Sequence, residues 1–553
     1  MPQKTSSFSP KFIFVSGGVL SSLGKGITTA SIAFLLKARG YRVTIVKCEN
    51  YLNIDSGLIN PIEHGDPFLC EDGTETDMDL GTYEKFLDQN MSRNNFITMG
   101  QIYKTVIDRE RAFGYNGEDV EMPHVCDEII RRITEAGKNE NAEIIITELG
   151  GTAGEYLNVL YYEASRILEY RNNEKVIHIH VSYLPTPPHI GEPKTKPTQL
   201  SVQRLNSMGI QPDFIVARSE TPLDERRRER FALFCNVKPD HIIANPDVPS
   251  VYEVPLLFAN QKFDAKILKS LHLPTKSLAI APWKNMIKSL KAHHPSVKIG
   301  VIGKYLATGE YQLRDSYAAL YDAIQHAALP VKVTPEIHWI NSEKLEKMAS
   351  EEVKKVLEEL DGIVVPIGWG SRGVEGKIIA IEYARTHKIP YLGLCYGMQL
   401  AVVEFARNVL GWKDAQSQEV DPHSPHPVVH MIPTQKRILE NRAYGGTMRL
   451  GAWECKLKPG TLAHSIYGKD LISERHRHRY EFNDEYAEEL EKAGLVISGR
   501  SVKENLVEMI ELPPSMHPFF IGTQGHPEYK SRPLKPHPMF VAFMGASKKK
   551  RSA

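Results

Sequence analysis

The 553-residue chain contains no paired-cysteine motif. Its six cysteines (Cys48, Cys70, Cys126, Cys235, Cys395 and Cys455) are scattered, with no C-x-x-C among them. A disulfide framework has no basis in that spacing, and a reducing cytoplasm is the expected compartment. Surplus charge is also missing. Lys plus Arg is 68 against 67 Asp plus Glu, a formal net charge of +1. A general nucleic-acid binder needs a basic excess for phosphate contacts, so no nucleic-acid partner is expected. No stretch approaches the ~20 apolar residues that cross a bilayer, so no membrane partner is expected either. The opening MPQKTSSFSPK lacks the apolar core of a secretion signal. Internal repeats and low-complexity tracts are absent.

What is present fits a soluble globular enzyme: 42% hydrophobic and 24% charged residues. At about 150 residues per domain, the length predicts two to four domains. Two regions alternate strand and helix signals, with glycines at the strand ends. They lie within 1–271 and 297–546. Residues 272–296 carry three prolines and read as a linker with one short helix, and 547–553 (SKKKRSA) read as a basic, solvated tail. Both flanks predict α/β units built on parallel sheets.

In the first region, FIFVS (Phe12 to Ser16) predicts a buried strand. GGVLSSLGKG (Gly17 to Gly26) follows, then a helical pattern ending at Gly40 and a second strand, YRVTIVK. Strand, glycine-rich turn and helix are the setting a phosphate loop requires. Backbone N–H groups converge on the anion, the helix N-terminus adds partial positive charge, and Lys25 adds a full one. The loop is one residue longer than G-x-x-x-x-G-K-[ST], and Gly26 takes the place of the hydroxyl residue. Carboxylates for Mg²⁺ are offered by EDGTETDMDLG (Glu71 to Gly81) and by Glu148, at the end of the apolar strand AEIIITELGG. GEPKTKPTQLS presents Lys194 and Lys196 between prolines, a setting suited to a second polyphosphate. ERRRER (Glu225 to Arg230) reads as a solvated helix face with Arg230 as the residue that can turn inward.

In the second region, IPYLGLCYGMQLAVVEFARNVLG places Cys395 between a strand and a helix, inside G-x-C-x-G (Gly393, Cys395, Gly397). This is the cysteine form of the nucleophile elbow: the glycines permit the sharp turn that presents the sulfur. FFIGTQGHPEYKS supplies His526 to take the thiol proton and Glu528 to hold the imidazole. The N–H groups of Gly368, in a glycine-rich loop after the strand DGIVVP, and of Tyr396 are candidates for an oxyanion hole. ERHRHRYE (Glu474 to Glu481) reads either as a solvated charge cluster or as the source of a carboxylate-binding arginine.

With GGVLSSLGKG, KTKPTQ, ALFCNV, GGTMRLG, ERHRHRYE and HPE in one order over nearly the whole chain, the sequence resembles the CTP synthase family. The resemblance implies two doubly wound parallel-sheet domains: an N-terminal P-loop-type amidoligase (synthetase) domain and a C-terminal class I glutamine amidotransferase domain. It implies that Cys395, His526 and Glu528 hydrolyse glutamine, with Gly368, Tyr396, Gly397, Met398, Gln399, Glu419 and Arg479 around the substrate. Ammonia would travel through an internal channel near His64, because bulk water at neutral pH turns it into ammonium. ATP would phosphorylate O4 of UTP, and ammonia would displace that phosphate to give CTP. For ATP the resemblance implies Ser22, Leu23, Gly24, Lys25, Gly26, Ile27, Lys47, Asp79, Asp247 and Val248. For UTP and product CTP it implies Ser21, Glu155, Lys194, Thr195, Lys196, Pro197, Thr198, Gln199 and Arg230. For Mg²⁺ it implies Asp79 and Glu148. It further implies GTP activation, CTP feedback, and homotetramers that stack into filaments.

Several positions depart from the family pattern. Glu49-Asn50-Tyr51 replaces D-P-Y, and Ile367-Gly368-Trp369-Gly370 replaces G-G-F-G. Tyr396 replaces the leucine after the cysteine, Glu155 an aspartate, Leu157 a glutamate, Arg230 a lysine, and Pro67 a small apolar residue. Two other functions stay open on the residues: an ATP-dependent amidotransferase on another acceptor, and a catalytically silent filament-forming or regulatory subunit. Joint retention of Lys25, Asp79, Glu148, Cys395, His526 and Glu528 weighs against the second.

Overall fold

The computed structural model describes residues 9–60, 65–172, 176–189, 191–304, 307–308, 311–312, 317–441 and 444–552. His64 lies outside the described residues. The chain divides into two compact units, Met1–Ile54 with Asp79–Ile287, and Asp55–Met78 with Lys288–Ala553.

The first unit is built on seven strands: β1 (Lys11–Gly18), β2 (Val43–Glu49), β3 (Phe96–Thr98), β4 (Ile144–Leu149), β5 (Ile177–Tyr183), β6 (Phe214–Ser219) and β7 (Ile242–Pro246). Their order is β3-β2-β4-β1-β5-β6-β7, and every pairing is parallel. Parallel strands are covered on both faces, which is why IIITEL and KFIFVSGG are buried almost without alternation. Strand β1 has β4 on one side and β5 on the other, and its C-terminal end feeds helix α1 (Lys25–Ala38). Ligands of open α/β sheets collect at such a reversal of strand order. Helix α2 (Lys196–Ser207) follows β5.

Residues 272–287 are packed into this unit. Helix α3 (Ala281–Lys291) places Trp283 against the rings of Phe34, Phe86 and Tyr252, at centroid distances of 4.4, 5.3 and 5.8 Å. The indole N–H donates to the Tyr252 carbonyl at 2.8 Å. Pro282 falls in the first turn, where a helix tolerates a missing N–H.

The second unit carries a nine-stranded sheet: β8 (Ser296–Gly303), β9 (Thr334–Asn341), β10 (Gly362–Val365), β11 (Tyr391–Leu394), β12 (Arg449–Leu457), β13 (Leu471–His478), β14 (Val496–Ser501), β15 (Val507–Glu511) and β16 (Phe520–Thr523). The order is β9-β8-β10-β11-β16-β15-β14-β12-β13. From β9 to β16 the strands are parallel; from β15 onward each pairing is antiparallel. The parallel half is thus extended by an antiparallel half that the strand-helix alternation does not announce. Helix α4 (Val374–Thr386) precedes β11. Helix α5 (Tyr396–Asn408) follows it and is buried from Tyr396 to Ala406. A helix buried on every side belongs inside a core, and α5 is one, with Gln399 and Glu404 buried among its apolar residues. Helix α6 (Pro538–Ser552) takes up most of the basic run read as a tail: Ser547 is buried and Lys548 Nζ donates to the Val331 carbonyl at 2.9 Å. Asp55–Met78 belongs to this unit through a small hairpin, Phe68–Leu69 with Glu75–Thr76. Arg477 Nε donates to Glu75 at 2.6 Å, and Arg475 donates to Glu71 and to the Leu69 carbonyl.

Candidate functional sites

In the first unit, the glycine-rich turn delivers Lys25 to the base of α1, buried, with its ammonium donating to the Gly151 carbonyl at 2.8 Å. Gly26 is bare for a reason: a Cβ there would fall 2.2 Å from Asp79 Oδ1. The glycine that displaces the usual hydroxyl residue is therefore where helix and carboxylate touch. Gly24 adopts φ +80°, a left-handed conformation natural to glycine. Ser21 and Ser22 on the same turn are exposed, Leu23 is buried and Ile27 half-buried.

Lys47 and Glu148 are register partners on β2 and β4. Lys47 Nζ lies 3.0 Å from Glu148 Oε1 and 3.2 Å from Glu49 Oε1, and it also pairs with Asp79. Tyr83 donates to the other Glu148 oxygen. Burial raises the pKa of Glu148, and the nearby Asp79 charge adds to this, while Lys47 and Lys25 oppose it. Burial, then Lys47, lowers that of Lys25. Two buried ammonium groups and three carboxylates thus share one small volume. Carboxylate oxygens are the donors a hard divalent cation takes; Glu49 and Asp79 offer oxygens within 4.8 Å of one another, while the two Glu148 oxygens are engaged by Lys47 and Tyr83. Within the acidic run 71–81, Glu71 and Glu75 are tied to Arg475 and Arg477.

The other nucleotide candidates are distributed over the strand ends. Asp247, exposed after β7, pairs with Arg218 at 2.8 Å. Arg218 Nε lies 3.9 Å from where a Gly24 Cβ would sit, so Arg218 stands between Asp247 and the turn. Val248 is half-buried. Glu155 is held in its own turn, accepting from Asn50 and from the Thr152 N–H. Lys196 and Pro197 open α2. Thr198 and Gln199 are buried, with Ser182 Oγ donating to Thr198 Oγ1 at 2.8 Å and Gln199 donating to Thr195 Oγ1 at 3.1 Å. Lys194 remains half in solvent beside Glu192, at 3.6 Å. Arg230 does not turn inward: it is exposed and lies over the Phe234 ring at 5.9 Å. Its neighbours Arg227 and Arg228 occupy the inner side of that helix.

In the second unit, Cys395 sits between β11 and α5 at φ 51° and ψ −99°, a backbone strain that the surrounding packing imposes. A Cβ at Gly397 would fall 2.0 Å from the Val365 carbonyl oxygen, so only glycine lets α5 start so close to β10. The neighbouring β16 carries the partners. Cys395 N–H donates to the Thr523 carbonyl at 2.7 Å, and three residues later His526 is wholly buried. His526 Nδ1 and Glu528 Oε1 are 2.7 Å apart. Among the described residues no other group takes a hydrogen bond to Nε2, leaving it for the thiol proton of Cys395. Burial opposes charge on the ring, but Glu528 and Cys395 outweigh it and raise its pKa from 6.5 to about 10. The arrangement keeps the imidazole protonated beside the sulfur.

A cavity of about 220 Å³ opens on the sulfur, lined among others by Gly368, Trp369, Cys395, Gln399, Glu419 and Arg479. That is room for one amino acid, with a carboxylate on one wall and a guanidinium on another. Tyr396 lines it too, whereas Met398 is buried in the core below. Arg479 is held by the Tyr444 carbonyl at 2.7 Å and Thr447 Oγ1 at 3.0 Å, which resolves the open reading of ERHRHRYE: Arg475 and Arg477 are buried ion-pair residues, and Arg479 faces the cavity.

The loop at 367–370, the candidate oxyanion loop, is clamped by groups that sequence reading passed over. Lys377, fully buried on α4, donates to the Pro366 carbonyl at 3.0 Å. Lys304 donates to the Trp369 and Gly370 carbonyls, and burial lowers its pKa to about 8. The Tyr396 hydroxyl donates to the Gly370 carbonyl at 2.9 Å, and the Gly370 N–H donates to Glu419 at 2.7 Å. The family's leucine has no such hydroxyl, so Tyr396 adds a tie to the loop. A lysine on a helix ordinarily reads as solvated, and no spacing signal marks Lys377. Gln524, buried beside the sulfur, was also passed over.

The second unit is a class I glutamine amidotransferase: residues 312–546 match the family model described as Glutamine amidotransferase class-I. Residues 11–273 match the model described as CTP synthase N-terminus. Over 541 residues the chain is 50% identical to a CTP synthase of Carboxydothermus hydrogenoformans, covering 98% of this chain and 99% of that one. It is 48% identical over 541 residues to a CTP synthase of Pyrococcus abyssi, covering 97% and 98%. The solved glutaminase domain of Trypanosoma brucei CTPS with bound acivicin is 39% identical, covering 46% of this chain and 94% of that one, with a TM-score of 0.42. The chain belongs to the CTP synthase family. Among the described residues, no helix is long and apolar enough to cross a membrane.

Proposed function

We propose that this chain aminates UTP to CTP at the expense of ATP, with nitrogen taken from glutamine. Near-complete coverage of CTP synthase relatives at about half identity carries this reading. The two sites supply its chemistry.

Glutamine enters the Cys395 cavity with its α-carboxylate on Arg479 and its α-ammonium on Glu419. The thiolate attacks the side-chain amide carbon, and the negative oxygen is met by the N–H groups of Gly368 and Tyr396. His526, charged and steadied by Glu528, gives its proton to the leaving nitrogen, and ammonia departs. Water then attacks the glutamyl thioester with His526 as base, releasing glutamate and restoring the thiol.

In the first unit, Ser22, the Leu23–Ile27 turn and Lys47 hold ATP, with Asp247 and Val248 beyond the end of β7. Ser21, Glu155, Lys194–Gln199 and Arg230 hold UTP. Bound Mg²⁺, for which Asp79 and Glu148 are the ligands, would neutralise phosphate charge. Lys25 is placed to stabilise the γ-phosphoryl group as it moves to O4 of UTP. Ammonia displaces that phosphate at C4, giving CTP, ADP and phosphate. GTP activation, CTP feedback, tetramers and filaments are carried over from the resemblance. Leu157, which removes a carboxylate, predicts weaker CTP feedback.

The test is conversion of UTP followed by absorbance, with ATP and Mg²⁺, first with glutamine and GTP, then with ammonium. CTP from both nitrogen sources is the expected result. ADP release with another acceptor but not UTP would favour a different amidotransferase, and no turnover at saturation a silent subunit.

A further inference from the structure

We infer that Gln524 is a positioning residue of the glutaminase site, which stabilises the Cys395 thiolate through a side-chain N–H whose direction is dictated by Gln399. The proposal rests on the glutaminase reading above and deepens it.

The orientation follows from hydrogen-bond logic. The Tyr480 carbonyl can only accept, and Gln399 Nε2 donates to it at 2.7 Å. The Gln399 side chain must therefore present its NH₂ end on that side. Its second hydrogen goes to Gln524 Oε1 at 3.1 Å. The Gln524 amide is thereby turned with its oxygen toward Gln399 and its nitrogen toward the sulfur, at 3.4 Å from Cys395 Sγ. The backbone fixes the rest: the Gln524 N–H donates to the Glu508 carbonyl at 2.8 Å, anchoring the residue where β16 ends.

Cys395, Gln399 and Gln524 are each at most 3% exposed, so water does not compete for these contacts. Hydrogen bonds in series polarise one another in a low dielectric. The sulfur otherwise faces the imidazole of His526 and, at 4.0 Å, the Arg477 carbonyl, which can only accept from it. Gln524 is thus the side-chain amide that favours the anionic over the neutral sulfur. Because Gln399 also lines the cavity, it joins the substrate pocket to the nucleophile.

The test compares Gln524→Met and Gln524→Glu with the unsubstituted protein. Methionine keeps the length and removes the donor. Glutamate keeps the shape and the acceptor for Gln399 but turns an oxygen toward the sulfur. The first readout is Cys395 alkylation by iodoacetamide at one neutral pH, with Cys395→Ala as the blank. The second is glutaminase kcat and KM. Ammonia-driven CTP synthesis reports folding. Loss of a hydrogen bond to a charged group predicts alkylation about 10-fold slower in the methionine variant, and slower still in the glutamate variant. Glutaminase kcat should fall in the same order, with ammonia-driven synthesis retained. Alkylation at the unsubstituted rate in both variants would overturn the proposal, even where KM rises, because Gln524 would then only support Gln399. Absence of glutaminase in the unsubstituted protein would sink the functional reading instead, and the alkylation order would still decide the role of Gln524.

Discussion

Lys47 and Glu148 stand directly opposite one another on adjacent parallel strands, with the ammonium 3.0 Å from the carboxylate. Both are almost fully buried, so neither charge is tolerable alone. The pair places a cation and a carboxylate at the C-terminal ends of the sheet strands, next to the lysine of the glycine-rich turn. A ligand bound there would exchange partners among charges already desolvated.

Substituting either lysine of this cluster should silence synthesis whatever the nitrogen source. Lys25→Ala removes the charge aimed at the phosphates, and Lys47→Met leaves Glu49, Asp79 and Glu148 without their shared cation. CTP formation from glutamine and from ammonium should fall together, by roughly 10³-fold for a lost transition-state charge. Glutaminase activity should remain measurable in the same preparations. Synthesis from ammonium at the unsubstituted rate in Lys25→Ala would contradict the phosphate-cradle reading.

The opposite separation is expected in the second unit. Cys395→Ala removes the only group that can form the thioester, so glutamine-driven synthesis should vanish. Synthesis driven by added ammonium should persist, because it bypasses the sulfur. Parallel assays with the two nitrogen sources check this, and loss of both in a folded protein would argue against independent sites.

Glu528→Gln tests how His526 carries its charge. Glu528 is the largest influence raising the ring's pKa against burial. Without it, burial prevails and the ring should be neutral at pH 7. Glutaminase kcat should fall roughly 10⁴-fold, as when the orienting acid of a triad is neutralised. The raised pKa also makes a stability statement. Its contribution is fully present below about pH 6.5 and is lost as pH rises through about 10. Alkaline unfolding of the unsubstituted protein should therefore show a loss that Glu528→Gln lacks, measured by thermal melts from neutral to alkaline pH.

Legibility of these features in the sequence divides along a physical line. The geometry of the elbow and of the glycine-rich turn was readable because local backbone demands, such as glycine where Gly26 and Gly397 meet Asp79 and Val365, are written in adjacent residues. Glu71 and Glu75, by contrast, look like free acids until the fold brings Arg475 and Arg477 to them from 400 residues away. The same distance hides the antiparallel half of the second sheet, since β13, ERHRHR, reads as solvated when its ion partners are unseen. The short helix expected in 272–296 is α3; Pro274, Pro282 and Pro295 made its surroundings read as a linker, whereas Trp283 pins it into the core. Lys377 and Gln524 left no local trace because only packing gives them a role.

One buried carboxyl predicts how stability depends on pH below neutrality. Glu508 lies on β15 with Arg449 Nη2 at 2.7 Å and His476 Nδ1 at 3.5 Å. Burial raises its pKa from 4.5 to about 7; Arg449 opposes the rise, and Glu481 and Glu504 add to it. His476 and His478 do not compensate by charging, because burial and then Arg449 hold both well below 6.5. A carboxyl that binds its proton more tightly when folded stabilises the fold fully below about pH 4.5, and that contribution is lost as pH rises through about 7. Glu508→Gln keeps an acceptor for Arg449 and does not titrate. Relative to this variant, the unsubstituted protein should lose on the order of 2–3 kcal/mol between about pH 5 and pH 8. Thermal melts of both proteins across that range check it: their midpoints should diverge as pH rises, with the glutamine variant higher at pH 8. A constant offset would mean that Glu508 is ionised throughout, with Arg449 outweighing burial.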